Sequence, residues 1–67
     1  MKWKDIEDIA EILEEKYPEE NIMQLRFTRL HKLITELEDF KDDHNKSNEK
    51  ILENIQATWF ELRQENR

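Results

Sequence analysis

Leu37-Glu38-Asp39-Phe40-Lys41-Asp42-Asp43 is the stretch that decides how the chain divides. With Glu36 before it, residues 36–43 hold five carboxylates against Lys41 alone, a net charge of −4. Leu37 and Phe40 stand three apart and are able to point inward together, which holds the carboxylates between and after them outward on a fixed support. Read this way, the segment is a knuckle that closes one helix and separates it from the next. A dense anionic knuckle on an apolar anchor suits either a basic protein surface or a hard cation.

Downstream of the knuckle, His44-Asn45-Lys46 is a polar turn, and Ser47 or Asn48 caps a third helix. Ile51, Ile55, Trp59 and Leu62 form its predicted buried stripe, with Leu52 alongside. Phe60 points away from that stripe, either exposed or folded under a terminal turn, and residues after about Leu62 read as a fraying tail. Upstream, Leu30, Leu33, Ile34 and Leu37 lie on one face of a second helix whose expected N-cap is Thr28. That helix begins with the chain's basic cluster, Arg26, Arg29 and Lys32, and ends among acids. Both ends oppose the helix dipole, at a few tenths to about 1 kcal/mol per misplaced charge. His31 lies at the rim of the apolar face, as a partly buried structural residue or as a ligand that would need Glu38 or another acid beside it. Ile22 to Phe27 reads as a loop, with a short extended piece possible at Leu25–Phe27.

The first helix is placed at 6–16. Asp5 is its N-cap, Trp3 is a core contact ahead of it, and Tyr17 is its stop, because residues before proline avoid helical angles. Ile6, Ile9, Ala10, Leu13 and Tyr17 repeat at helical spacing, with Ile12 beside them. The outer face is assigned Glu7, Glu11, Glu14 and Glu15. Residues 5–20 carry eight acids and one lysine. They read as a solvated face, or as a second anionic surface for the same partner.

Sixty-seven residues make one domain, 1–67. A chain this short buries only about 60% of the surface its unfolded form exposes. Charged residues are 42% of the chain, but its apolar residues are periodic, so it reads as folded. There is no glycine, which excludes glycine-based phosphate loops, and no cysteine, which excludes disulfides, thiolate metal sites and thiol catalysis. No signal peptide or 18-residue apolar run is visible, so a soluble, cytoplasmic, monomeric protein is expected. A net charge of −6 argues against nucleic acid and for cationic partners. Catalysis is not expected: two dozen apolar residues leave little material for both a core and a dry pocket in which a carboxyl shifts its pKa. No tightly bound cofactor is expected. Asp39, Asp42 and Asp43 would offer oxygen ligands for a weak, partly hydrated Fe²⁺ site if the loop curls.

Five stretches together resemble the IscX (YfhJ) family of small acidic proteins of bacterial iron–sulfur cluster assembly. They are Lys2-Trp3 with Asp5; Tyr17-Pro18; Arg26-Phe27-Thr28 with His31; Leu37-Glu38-Asp39-Phe40 with Asp42-Asp43; and Ser47-Asn48-Glu49-Lys50-Ile51-Leu52-Glu53 with Trp59. They run in the family's order over residues 2 to about 60. The resemblance implies an all-α, three-helix, winged-helix-like domain that docks on the cysteine desulfurase IscS through its acidic surface, near where frataxin binds, as an adaptor or regulator. It also implies weak iron binding, with iron delivery as an alternative role; outside the family, the residues also fit a generic acidic adaptor with some other basic partner. The expected partner-binding residues are Glu36, Glu38, Asp39, Asp42 and Asp43, with Glu7 and Glu11 on helix one. Arg29 and Lys41 stand where members commonly carry an acid, and His44 where a proline is common. The loop Glu19-Glu20-Asn21-Ile22 lacks the usual aspartate-proline ending.

Overall fold

A computed structural model describes residues 1–65. Three α-helices and two 3₁₀ turns follow in order: α1 (Ile6–Lys16), the turn η1 (Ile22–Gln24), α2 (Phe27–Thr35), the turn η2 (His44–Lys46) and α3 (Glu49–Glu65). There is no strand among the described residues, so Leu25–Phe27 is not one and no wing hairpin is formed. The all-α, three-helix expectation is met.

The most extensive packing is α1 against α3, with α2 and η1 closing over α3. Ile9, Ala10 and Leu13 from α1, Leu30, Leu33 and Ile34 from α2, and Leu52, Ile55 and Trp59 from α3 are buried. Trp3, Ile22, Leu25, Leu37 and Phe40 complete the core from outside the α-helices. Five of the fourteen buried residues therefore lie in connecting segments, and the loops are part of the interior.

α1 occupies the predicted span and closes through the Tyr17 amide, which donates to the Leu13 carbonyl at 2.8 Å. Asp5 precedes it but does not cap it: its Oδ2 accepts from the Lys2 amide at 2.9 Å, facing back into the lead-in. α2 begins earlier than Thr28 as a cap would allow. Arg26 is the N-cap, Phe27 is the first helical residue, and Thr28 is exposed. Phe27 packs partly buried against the core, and that packing outweighs the cap preference of a threonine, typically about 1 kcal/mol. At the other end Thr35 Oγ1 donates to the His31 carbonyl at 3.0 Å, the back-bond of a hydroxyl to the residue four before it.

Asn48, not Ser47, caps α3: its Oδ1 accepts from the Ile51 amide at 2.9 Å. The buried stripe of α3 is Leu52, Ile55 and Trp59, while Ile51 and Leu62 are only partly buried, so the helix is rotated slightly from the expected face. Phe60 is partly buried against the core.

The expected fraying after Leu62 does not occur through Glu65; residues 66–67 lie outside the described region. Arg63 is the reason. Its Nε donates to Glu14 Oε1 at 3.0 Å, and its terminal nitrogens donate to the carbonyls of Tyr17 and Glu20. The guanidinium also lies over the Trp59 ring, 5.6 Å from the centroid. Trp59 Nε1 donates to the same Glu14 oxygen at 2.9 Å. Glu14 therefore faces α3 rather than solvent, a correction to the assigned outer face of α1. Gln56 adds a bond to the Ile22 carbonyl at 2.7 Å, which ties η1 to α3.

Arg63 is only 11% exposed at its side chain, and its removal strands two carbonyls and the Glu14 carboxylate. Arg63→Ala is expected to destabilise the domain by about 2–3 kcal/mol, read as a lower urea midpoint at unchanged m. A loss under about 0.5 kcal/mol, the scale of an ordinary surface change, would show that the last turn of α3 is dispensable.

Candidate functional site

The knuckle is built without any positive backbone φ. The Leu37 amide donates to the Ile34 carbonyl and the Phe40 amide to the Leu37 carbonyl, each at 3.1 Å. These turns place Leu37 and Phe40 in the core, 4% and 7% exposed, with Glu36, Glu38 and Asp39 exposed around them. The alternation expected from the sequence is therefore present.

What pins the knuckle is the lead-in segment, 38–40 residues away in sequence. The Met1 nitrogen donates to the Asp39 carbonyl, and the Lys41 amide donates back to the Met1 carbonyl at 2.9 Å. The Trp3 amide donates to Asp42 Oδ2 at 3.2 Å, and the Trp3 indole donates to the Asp43 carbonyl at 2.8 Å. The indole is 2% exposed, meets Phe40 edge-to-face at 4.7 Å and stacks on His31 at 5.5 Å. His31 donates through Nε2 to the His44 carbonyl at 2.7 Å and so fastens η2 to α2. Its role is structural.

Asp42 and Asp43 belong to this fastening. Asp42 Oδ1 accepts from the Asp43 amide at 2.8 Å, so both Asp42 oxygens are engaged by backbone N–H groups. Asp43 Oδ1 accepts from the Asn45 amide at 2.9 Å and caps η2 as an Asx turn. The five sequence-predicted knuckle acids thus divide. Glu36, Glu38 and Asp39 make no side-chain hydrogen bond or ion pair among the described residues, while Asp42 and Asp43 hold the backbone. The expected Fe²⁺ set of Asp39, Asp42 and Asp43 does not assemble: no three Asp, Glu, His or Cys side chains gather as a metal site among the described residues. Each Asp42 oxygen already accepts from one backbone N–H group.

Glu7 and Glu11 are exposed on α1, as expected, and line a shallow groove of about 230 Å³ together with Glu61, Leu62 and Glu65 of α3. The two α3 acids were not singled out in the sequence, although Glu61 and Glu65 share a face at four-residue spacing. Trp3, Glu14 and Arg63 were missed as polar partners. No local pattern announces a hydrogen bond spanning 39 to 49 residues.

The backbone hydrogen bond from Trp3, then that from Asp43, holds the Asp42 carboxyl below its ordinary value. A depressed folded-state pKa gives stability that is present above the unfolded-state pKa, about 4, and is lost as pH falls through the folded value. Acidification below about pH 4 is therefore expected to loosen the Trp3–knuckle contact, seen as displacement of the Trp3 indole N–H resonance in a pH titration. Asp42→Asn should remove that acid step from the titration; an unchanged step would assign it to another carboxyl.

An uncharacterized protein of Pseudomonas aeruginosa is 43% identical over 63 residues, covering 94% of this chain and 96% of its own. The family model described as iron-sulphur cluster assembly matches residues 1–64, which takes in the lead-in, the knuckle and nearly all of α3. The chain belongs to that iron–sulfur cluster assembly family, the IscX (YfhJ) family.

Proposed function

We propose that the chain is a non-catalytic accessory protein of cluster assembly that docks on the cysteine desulfurase IscS through the exposed carboxylates of the knuckle. The observation that carries this reading is the presentation of Glu36, Glu38 and Asp39. Three acids with no side-chain partner among the described residues sit on a turn whose apolar residues are buried and whose backbone is fastened to Trp3. A rigid anionic surface steers a cationic partner and fixes its orientation, while each exposed pair adds only about 0.2–1 kcal/mol. The acids of α1 and α3 around Glu7 and Glu11 supply a second anionic patch for the same enzyme.

Affinity built this way is sensitive to salt, because exposed charges are screened beyond about 8 Å at physiological ionic strength. The family places the chain in cluster assembly, and its acidity favours a cationic member of that machinery. The adaptor reading needs no bound metal. Function in the cytoplasm, where the desulfurase meets its scaffold, belongs to the same reading.

The division among the acids selects the variant. Replacing Asp42 or Asp43 would disturb the fold of the knuckle itself, whereas Glu36→Lys, Glu38→Lys and Asp39→Lys together reverse only its outward charge. That triple variant is expected to weaken binding to purified desulfurase at least about tenfold in a calorimetric titration, with an unchanged unfolding midpoint. Undiminished affinity in low salt would remove the knuckle from the interface.

A further inference from the structure

The desulfurase reading leaves the basic cluster unused. Residues 21–35 carry Arg26, Arg29 and Lys32 and no carboxylate, in a chain whose total charge is −6. All three cations are exposed. Steps of three residues make Arg29 a neighbour of both Arg26 and Lys32 on the helix surface. Arg26 and Lys32 have no carboxylate within ion-pair distance among the described residues. Arg29 contacts Glu20 at 2.9 Å, and its side chain remains 56% exposed.

Beside these cations lies a trough of about 300 Å³ between η1 and the start of α2. Asn21, Gln24 and Thr28 supply amide and hydroxyl groups along it, Leu25 gives it an apolar patch, Arg26 and the Glu20–Arg29 ion pair line its wall, and Lys32 stands outside the lining, three residues beyond Arg29. We propose that this trough is a docking site for a short, extended, acidic peptide segment of a partner protein, separate from the desulfurase surface.

Charge complementarity identifies the occupant. The cations extend about 9 Å along α2 at 1.5 Å per residue, the length of roughly three residues of extended chain. Side-chain amides beside the cations match a peptide backbone, which needs both donors and acceptors, and Leu25 accepts one apolar side chain. A long polyanion is disfavoured, because it would run beyond the patch onto a molecule dominated by carboxylates.

The test is an amide-resolved NMR titration of the intact chain with a synthetic decapeptide containing three glutamates and one leucine. A control peptide carries glutamine at the three acidic positions. Shifts confined to residues 20–32, about tenfold weaker with Arg26→Glu and Lys32→Glu together and suppressed by added salt, would support the site. Should the double reversal shift the unfolding midpoint, Arg26→Gln with Lys32→Gln serves in its place. The proposal is overturned by absence of shifts at about millimolar peptide. It is equally overturned by equal shifts with the glutamine peptide, by shifts mapping to the knuckle, or by concentration-dependent self-association that produces the same shifts without peptide. Desulfurase binding by Arg26→Glu alone separates the two sites, because it stays intact if the knuckle alone meets the enzyme.

Discussion

Burial of the Trp3 side chain is the constraint on which the other parts of the structure depend. A buried indole needs a partner for its N–H, and here that partner is the Asp43 carbonyl, 40 residues away. The same residue directs its amide to the Asp42 carboxylate and meets the Phe40 ring edge-to-face. One side chain thus couples the first residues to the segment between α2 and α3, and the apolar driving force of its burial is spent on fixing the knuckle. A chain with no glycine cannot readily shape such a loop through left-handed backbone angles. It uses side chains instead: Asp42 and Asp43 turn the backbone, His31 holds η2, and Trp3 closes the assembly.

This arrangement gives the carboxylates different physical roles. Glu14 accepts from both Trp59 and Arg63, and a carboxylate so placed holds two helices together. Glu20 meets Arg29, and Asp5, Asp42 and Asp43 accept from backbone amides. A high acid content in a small domain costs self-repulsion. Here a set of acids is absorbed by donors that would otherwise be unsatisfied. Among the acids left over, Glu36, Glu38 and Asp39 stand over the buried Leu37 and Phe40, while others, Glu7 and Glu11 among them, are exposed on the helices. The rigidity of the knuckle lowers the conformational entropy that docking would have to remove.

The helices were legible because their signals are local. The 3.6-residue period located α1 within its observed bounds, and the Leu37–Phe40 spacing marked the knuckle and which side of it faces inward. What stayed hidden depends on contacts between distant segments. Phe27 draws the start of α2 forward because the core has room for it, which no cap rule anticipates. Arg63 extends α3 because carbonyls at the end of α1 await a donor, although the local sequence there is polar and reads as a tail. Asp42 and Asp43 look like the other knuckle acids in one dimension. The Trp3 amide on Asp42 and the Asn45 amide on Asp43 distinguish a carboxylate that holds the fold from one that faces solvent. The Asp43-His44-Asn45 spacing was the one local hint, since an aspartate two residues before an unpaired amide commonly closes an Asx turn.

Arg29 meets Glu20 at 2.9 Å, so its charge is answered locally, whereas Arg26 and Lys32 on either side have no carboxylate partner among the described residues. From Arg26 to Glu36 along α2 is about 15 Å, beyond the screening length of about 8 Å at physiological salt, whereas Lys32 stands one turn, about 6 Å, before Glu36. Arg26 and the acidic knuckle therefore act as nearly independent electrostatic surfaces, with Lys32 at the border between them. Such an order of charge opposes the helix dipole at both ends, and packing through Leu30, Leu33 and Ile34 keeps the helix formed regardless. A rod held by its buried face is free to carry at its ends charges that an isolated helix would not tolerate, and that freedom is what allows one nine-residue helix to separate two surfaces of opposite sign.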